Sequence, residues 1–126
     1  MTLPASQFAR RDGDAIECRS EPMRLSWTLA DLASADAHAL DARISCSARI
    51  ADSPADRKMF VEVFLTSAES ASVQMIAEHF ARTIRSTLAA ALRAYPANEL
   101  AGGSHRHDLL ATLSKAIEPI AFAAGL

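Results

Sequence analysis

Residues 40–50 alternate strictly between apolar and polar side chains, which constrains how this part of the 126-residue chain can fold. Side chains two positions apart lie on the same face of a β-strand. The pattern therefore predicts a strand with one face on a core and the other in water, an arrangement that antiparallel sheets allow. The apolar face comprises Leu40, Ala42, Ile44, Cys46, Ala48 and Ile50, and the polar face Asp41, Arg43, Ser45, Ser47 and Arg49.

The segments upstream supply partners for this strand. Residues 23–29 have the same two-residue period, and we expect them to be its hairpin neighbour. Further upstream, the Asp12-Gly13 pair predicts a turn, and the sequence AIECRS that follows it is typical of a short strand. Residues 1–10 show no periodicity, so we expect a flexible N-terminus.

Helical spacing follows Pro54. Asp52 or Ser53 can cap this helix, and proline is tolerated in a first helical turn because the N–H that it lacks would have no partner there. The sequence MFVEVFL (59–65) would also suit a buried strand, but the cap and Pro54 favour a helix.

Two more helices are predicted further along the chain. The sequence TSAESAS (66–72) indicates a loop that ends in Ser70 or Ser72 as a cap. An apolar stripe with helical spacing then runs over 73–95 and is expected to stop at Pro96. After the connector ANELAGGSHRHD we expect a last helix, with Leu109, Leu110, Leu113 and Ile117 facing inward and Pro119 at its end.

Strands come before helices in this order, which is typical of an α+β fold. We expect a small antiparallel sheet from the N-terminal half of the chain. It should pack against C-terminal helices that include one long amphipathic helix.

Composition argues against several partners and locations. Thirteen Lys and Arg side chains stand against fifteen acids, a net charge of -2, whereas duplex nucleic-acid binders usually carry a basic excess. No apolar run reaches the roughly 20 residues that cross a bilayer. We expect a cytoplasmic protein, peripheral to a membrane only through segments outside this chain. Cys18 and Cys46 are expected to be buried, reduced thiols, with a disulfide between neighbouring strands as the alternative.

The sequence offers little reactive chemistry. It contains neither a G-x-S-x-G nucleophile elbow nor a phosphate-binding glycine loop. We therefore expect no enzyme, no catalytic residue, no cofactor and no bound metal. The alternative is a small metal- or ligand-binding protein that uses His105, His107 and Asp108, although a further ligand would have to come from elsewhere in the chain.

Three runs of residues carry a family resemblance. TLADLASADAHALDARISCSARIADSPADRKMF (28–60) holds a T-x-D-like element, a long alternating strand, and Asp52 and Pro54 separated by one inserted residue. IAEHFARTIRSTLAAALRAYPANEL (76–100) is a long helix closing on an acid-leucine pair, and HDLLATLSKAIEPIAFAAGL (107–126) is the helix after it. Together they resemble the SPFH, or prohibitin-homology, domain of stomatins, prohibitins and flotillins.

This resemblance implies a non-enzymatic scaffold, because SPFH domains assemble side by side, line membranes and position other proteins. It implies a single SPFH-like domain over 11–126 that ends before the family's last strand or coiled coil. The implied partners are proteins, chiefly other copies of the chain in its full-length context, together with a membrane surface. The side chains expected at such contacts are Arg43, Arg49, Arg82, Arg85 and Arg93; for the last three a solvated helix face is the alternative.

Overall fold

The computed structural model describes residues 3–126 of the chain. These residues form two small antiparallel sheets and four helices, which confirms the predicted α+β class. No helix among them is both long and apolar enough to cross a membrane. The elements are β1 (Gln7–Asp12), β2 (Ala15–Cys18), β3 (Met23–Ala33), β4 (Ala39–Ala48), α1 (Pro54–Phe64), β5 (Ser70–Ser72), α2 (Val73–Leu92), α3 (Ala97–Ala101) and α4 (Arg106–Ala123).

The chain divides into two compact units, each assembled from separate stretches of sequence. A single domain was expected over 11–126. The first unit comprises Met1–Ser26, Ser45–His79 and Ile120–Leu126, and the second comprises Trp27–Ile44 and Phe80–Pro119.

The first unit contains a three-stranded sheet in the order β2-β1-β5. β1 and β2 pair antiparallel on either side of the predicted Asp12-Gly13 turn, and Gly13 has a φ of 65°, which glycine adopts without strain. Phe8 and Ala9 are fully buried in β1, so the expectation of a flexible N-terminus is wrong for residues 7–10. An irregular register between Gln7 and Ala9 buries two consecutive side chains, which removes the alternation that would have revealed the strand.

Helix α1 begins at Pro54, and Ser53 is its cap, which confirms the helix over the alternative strand. The Ser53 Oγ accepts a hydrogen bond from the Asp56 N–H at 3.1 Å and donates to Asp56 Oδ2 at 2.6 Å. Such reciprocal bonding satisfies an N–H that a helix start leaves without a partner.

Residues 65–69 form a loop as predicted, but the end of the expected loop is a short strand. Ser70–Ser72 make up β5, which pairs antiparallel with β1. The Ser72 Oγ also accepts a hydrogen bond from the Met75 N–H at 3.1 Å, so the prediction of Ser72 as a cap is confirmed. A three-residue strand has too few positions for a periodic pattern, and its pairing with β1 was invisible in the sequence.

β3 and β4 form the second sheet, as the matching periods predicted. Alternate side chains of β3 are buried up to Leu29, after which the pattern slips by one residue and Leu32 is buried. The slip falls at Asp31, whose φ is 61°. Aspartate tolerates this left-handed conformation better than most residues, so it permits the irregularity.

Helix α2 buries one narrow stripe of side chains. Its buried residues Ile76, Phe80, Ile84, Leu88 and Leu92 recur every four positions, and the helix ends at Leu92, before the predicted 95. On α4, Leu113 is buried, but Leu110 is 51% exposed, which corrects its predicted inward position. α4 also continues through Pro119, and the predicted connector contains the short helix α3.

Candidate functional site

Strand β4 pairs with another strand on one side only. Within residues 3–126 its one strand neighbour is β3, so its other edge is paired with no strand. Natural edge strands are usually short, or are protected by charged side chains (lysine above all), by proline or by a bulge, and β4 carries the charges of Asp41 and Arg43. β4 is ten residues long, and Ala39–Ala48 contains no lysine, proline or residue of positive φ.

The side chains of β4 are more exposed than the alternation predicted. Asp41 and Arg43 face solvent as expected. On the opposite face Leu40 and Ile44 are only half-buried and Cys46 is exposed, so the expected burial of Cys46 is wrong. On β3, the other strand of this sheet, Leu25, Trp27 and Leu29 are buried.

The five arginines predicted to contact partners are all exposed. Arg43 lies on β4, Arg49 follows it, Arg82 and Arg85 lie on α2, and Arg93 follows α2. Arg85 is engaged inside the second unit, because its Nη2 donates to the Ala30 carbonyl of β3 at 3.2 Å. None of the five forms a salt bridge with another described residue.

A polar cluster occupies the turn between β3 and β4. The Ser34 Oγ donates to Asp36 Oδ1 and accepts from the His38 N–H at 3.1 Å. The His38 Nδ1 lies 3.2 Å from Asp36 Oδ2. Asp36 Oδ1 also accepts from the N–H of Ala97, the first residue of α3, at 3.1 Å. The cluster therefore ties the turn to a helix start about sixty residues further along the chain.

The order of these three side chains does not suit nucleophilic catalysis. In a serine hydrolase the histidine stands between the serine and the carboxylate, where it takes the serine proton. Here Asp36 stands between Ser34 and His38, so the serine hydroxyl is directed at a carboxylate. The arrangement is suited to holding the turn, and sequence analysis recognised only that turn.

Hydrogen bonding changes the acidity of Asp36. The bond from Ser34, followed by the backbone N–H of Ala97, lowers the pKa of the Asp36 carboxyl from 3.8 to about 2. Each donor stabilises the charged form of the acceptor. Because the folded-state pKa is the lower one, the stabilisation is complete above about pH 4 and is lost as the pH falls toward 2.

Replacing Ser34 by alanine is expected to raise the pKa of Asp36 toward 3.8, because the largest cause of the shift is removed. Carboxyl-carbon NMR titration measures this pKa directly. Ser47→Ala, at an exposed serine of β4, is the control and should leave the Asp36 titration unchanged. An Asp36 pKa that stays near 2 in Ser34→Ala would contradict the assignment.

The histidines proposed as metal ligands are placed differently from one another. The His105 ring stacks on Tyr95, with centroids 3.8 Å apart, and its Nε2 lies 3.6 Å from Glu99 Oε1. His107 and Asp108 are exposed in the first turn of α4. Among residues 3–126 no three His, Cys, Asp or Glu side chains are grouped so that they could hold a metal ion.

A groove that sequence analysis missed lies beside β2 in the first unit. Burial raises the pKa of the Cys18 thiol there, and the opposing effect of Arg57 is smaller. Because the thiolate is the nucleophilic form, Cys18 is a poor candidate for reactive chemistry. The groove has a volume of about 730 Å³ and is lined by Ile16, Cys18, Pro54, Arg57, Lys58, Val61 and Glu62.

Cys18 and Cys46 are both free, which contradicts the alternative of a disulfide.

Comparisons with known proteins yield no match for this chain among family models, curated proteins or solved structures.

Proposed function

We propose that this chain is a non-enzymatic, SPFH-like scaffold domain that assembles with other copies of itself. The observation that carries the proposal is the one-sided pairing of β4. An open strand edge binds another extended segment through main-chain hydrogen bonds, and its alternate side chains add specificity. Ten consecutive residues supply such an edge here.

The side-chain arrangements described within residues 3–126 are consistent with a role without catalysis. The hydrogen bonds among Ser34, Asp36 and His38 hold a turn. The pKa of the Cys18 thiol is raised, which disfavours the reactive thiolate. Two free cysteines suit a reducing compartment, so we place the assembly in the cytoplasm.

Exposed arginines provide further contact points. Arg43, Arg49, Arg82 and Arg93 are exposed and form no salt bridge with another described residue. Arginine is enriched at protein interfaces because its planar guanidinium makes several directed hydrogen bonds. The same side chains suit an anionic membrane surface, against which an assembly of copies could lie.

Sedimentation velocity and light scattering test the proposal directly. The chain is examined from about 10 µM to about 1 mM, since a single short edge is expected to give a weak dimer. Glutaraldehyde cross-linking in parallel should trap dimers in increasing amount as the concentration rises.

A coiled-coil fusion provides the second arm of this experiment. It brings copies close together and raises their effective concentration, so weak contacts between domains become measurable. Higher-order species are expected from the fusion beyond those of the coiled coil alone. A chain that stays strictly monomeric at about 1 mM, and whose fusion forms only the coiled-coil oligomer, would disprove the proposed function.

A further inference from the structure

The exposed edge of β4 carries a charge pattern that is complementary to itself. Asp41 and Arg43 lie two positions apart on the solvent-facing side of the strand. When two identical strands pair antiparallel about a two-fold axis, residues equally distant from the central position lie opposite each other. With the centre at Ala42, Asp41 of each copy faces Arg43 of the other.

The same register matches the apolar face of the strand. Leu40 of each copy then faces Ile44 of the other, and both side chains are half-buried and therefore available for contact. Ala42 faces its own copy at the axis, where a small side chain allows close approach. Cross-strand pairs of unlike charge and of apolar side chains each stabilise antiparallel pairing.

Neighbouring registers are less favourable. Centring the pair on Asp41 or on Arg43 places that charge opposite itself, and like charges directly opposite are destabilising. A centre at Ser45 would pair Asp41 with Arg49, but Arg49 lies beyond the end of β4. The next residue, Ile50, is 5% exposed and therefore unable to join a new pair.

We infer that two copies of this chain associate by antiparallel pairing of their β4 strands, centred on Ala42. This inference rests on the proposed function and supplies its surface and its partner. The pairing spans residues 39–45, seven of the ten positions in β4. An interface of this length is small, so a weak dimer is expected.

Single-cysteine cross-linking tests the register. Ala42→Cys and Ser45→Cys are each made in a chain that also carries Cys18→Ser and Cys46→Ser, and each variant is oxidised with diamide. Only a residue at the two-fold axis lies opposite its own copy, so Ala42→Cys should form a covalent dimer. Ser45→Cys is the control, three positions further along β4; it lies opposite Ala39 in this register and should remain largely monomeric.

Charge exchange tests the same pairs without altering the cysteines. Asp41→Arg or Arg43→Asp alone places like charges opposite each other at two symmetry-related points, and each should raise the dimer Kd roughly tenfold or more. The double variant Asp41→Arg/Arg43→Asp restores unlike pairs and should return the Kd to within about threefold of the original value. Lys115→Asp makes the same change of charge at an exposed position on α4, is the control, and should change the Kd little.

The outcomes separate this inference from the function on which it rests. If the chain dimerises but Ser45→Cys cross-links in place of Ala42→Cys, or the charge variants leave the Kd unchanged, the β4 register is wrong and the scaffold function stands. If the chain stays monomeric and its fusion forms only the coiled-coil oligomer, this inference and the proposed function are both wrong. Cross-linking at Ala42 together with rescue by the double charge variant establishes the pairing.

Discussion

Replacing Phe60 by alanine is expected to lower the free energy of unfolding by about 3–5 kcal/mol. Phe60 is completely buried in the first unit, with its ring centroid 6.5 Å from that of Phe8 and 4.9 Å from that of Phe64. The substitution removes the buried ring and leaves a cavity that its neighbours fill only in part. Alanine is the better helix former, so the loss cannot be attributed to the helix propensity of α1.

Phe122→Ala is the matched control for this prediction. Phe122 is 63% exposed, and the same change of side chain there should alter stability by no more than about 0.5 kcal/mol. Urea unfolding followed by far-UV circular dichroism measures both variants. Because whole domains are stable by only about 5–15 kcal/mol, Phe60→Ala should shift the midpoint clearly. Equal midpoints for the two variants would refute the assignment of Phe60 to the core.

Features fixed by neighbouring residues were predictable from the sequence. The alternation over 40–50 gave β4 because a strand's faces are set two residues apart. Ser53 and Pro54 marked the start of α1 because capping requires only the first helical turn. The turn at Gly13 was predictable because a turn signal also depends only on adjacent residues, here Asp12 and Gly13.

Features that depend on distant partners were missed. β5 exists through its pairing with β1, across sixty or more positions of sequence, and no pattern within Ser70–Ser72 predicts it. Phe8 and Ala9 are buried side by side, so β1 lacks alternation. Such pairings are decided by packing against the rest of the fold, which outweighs local propensity.

The candidate site contains both kinds of feature, those fixed by neighbouring residues and those that depend on distant partners. Asp36 was recognised as part of a turn, but its bond to the Ala97 N–H joins segments that no spacing rule connects. The arginine positions were predicted to be exposed, and they are. The half-exposed apolar face of β4 was not predicted, since alternation indicates which face turns inward and leaves open how much of it is covered.

Gly125 occupies a position that disfavours any side chain for two reasons, its left-handed backbone conformation and the close approach of the Asp56 backbone. It follows the end of α4 with a φ of 77°, and the Gly125 N–H bonds to the Phe122 carbonyl at 3.2 Å. The Leu126 N–H bonds to the Ala121 carbonyl at 2.9 Å, which completes the glycine-dependent helix ending known as the Schellman motif. A Cβ at Gly125 would also lie 2.0 Å from the backbone oxygen of Asp56.

Gly125→Ala is therefore expected to destabilise the chain by about 2–5 kcal/mol. A left-handed alanine contributes about 1–2 kcal/mol of this loss, and crowding in a packed region adds about 1–3 kcal/mol. Gly13→Ala is the matched control, because Gly13 has a φ of 65° but nothing within 4 Å of its Cβ position. Urea unfolding of Gly13→Ala should show only the smaller, conformational part of this loss.

The obstacle at Gly125 is backbone, which cannot rotate away like a side chain. We therefore expect α1 and the last residues to separate, and the bond from the Ala51 N–H to the Gly125 carbonyl (2.8 Å) to be lost. Faster exchange of the Ala51 amide hydrogen in Gly125→Ala, but not in Gly13→Ala, would report that separation; equal losses of stability in the two variants would show that the close approach to Asp56 does not exist in solution.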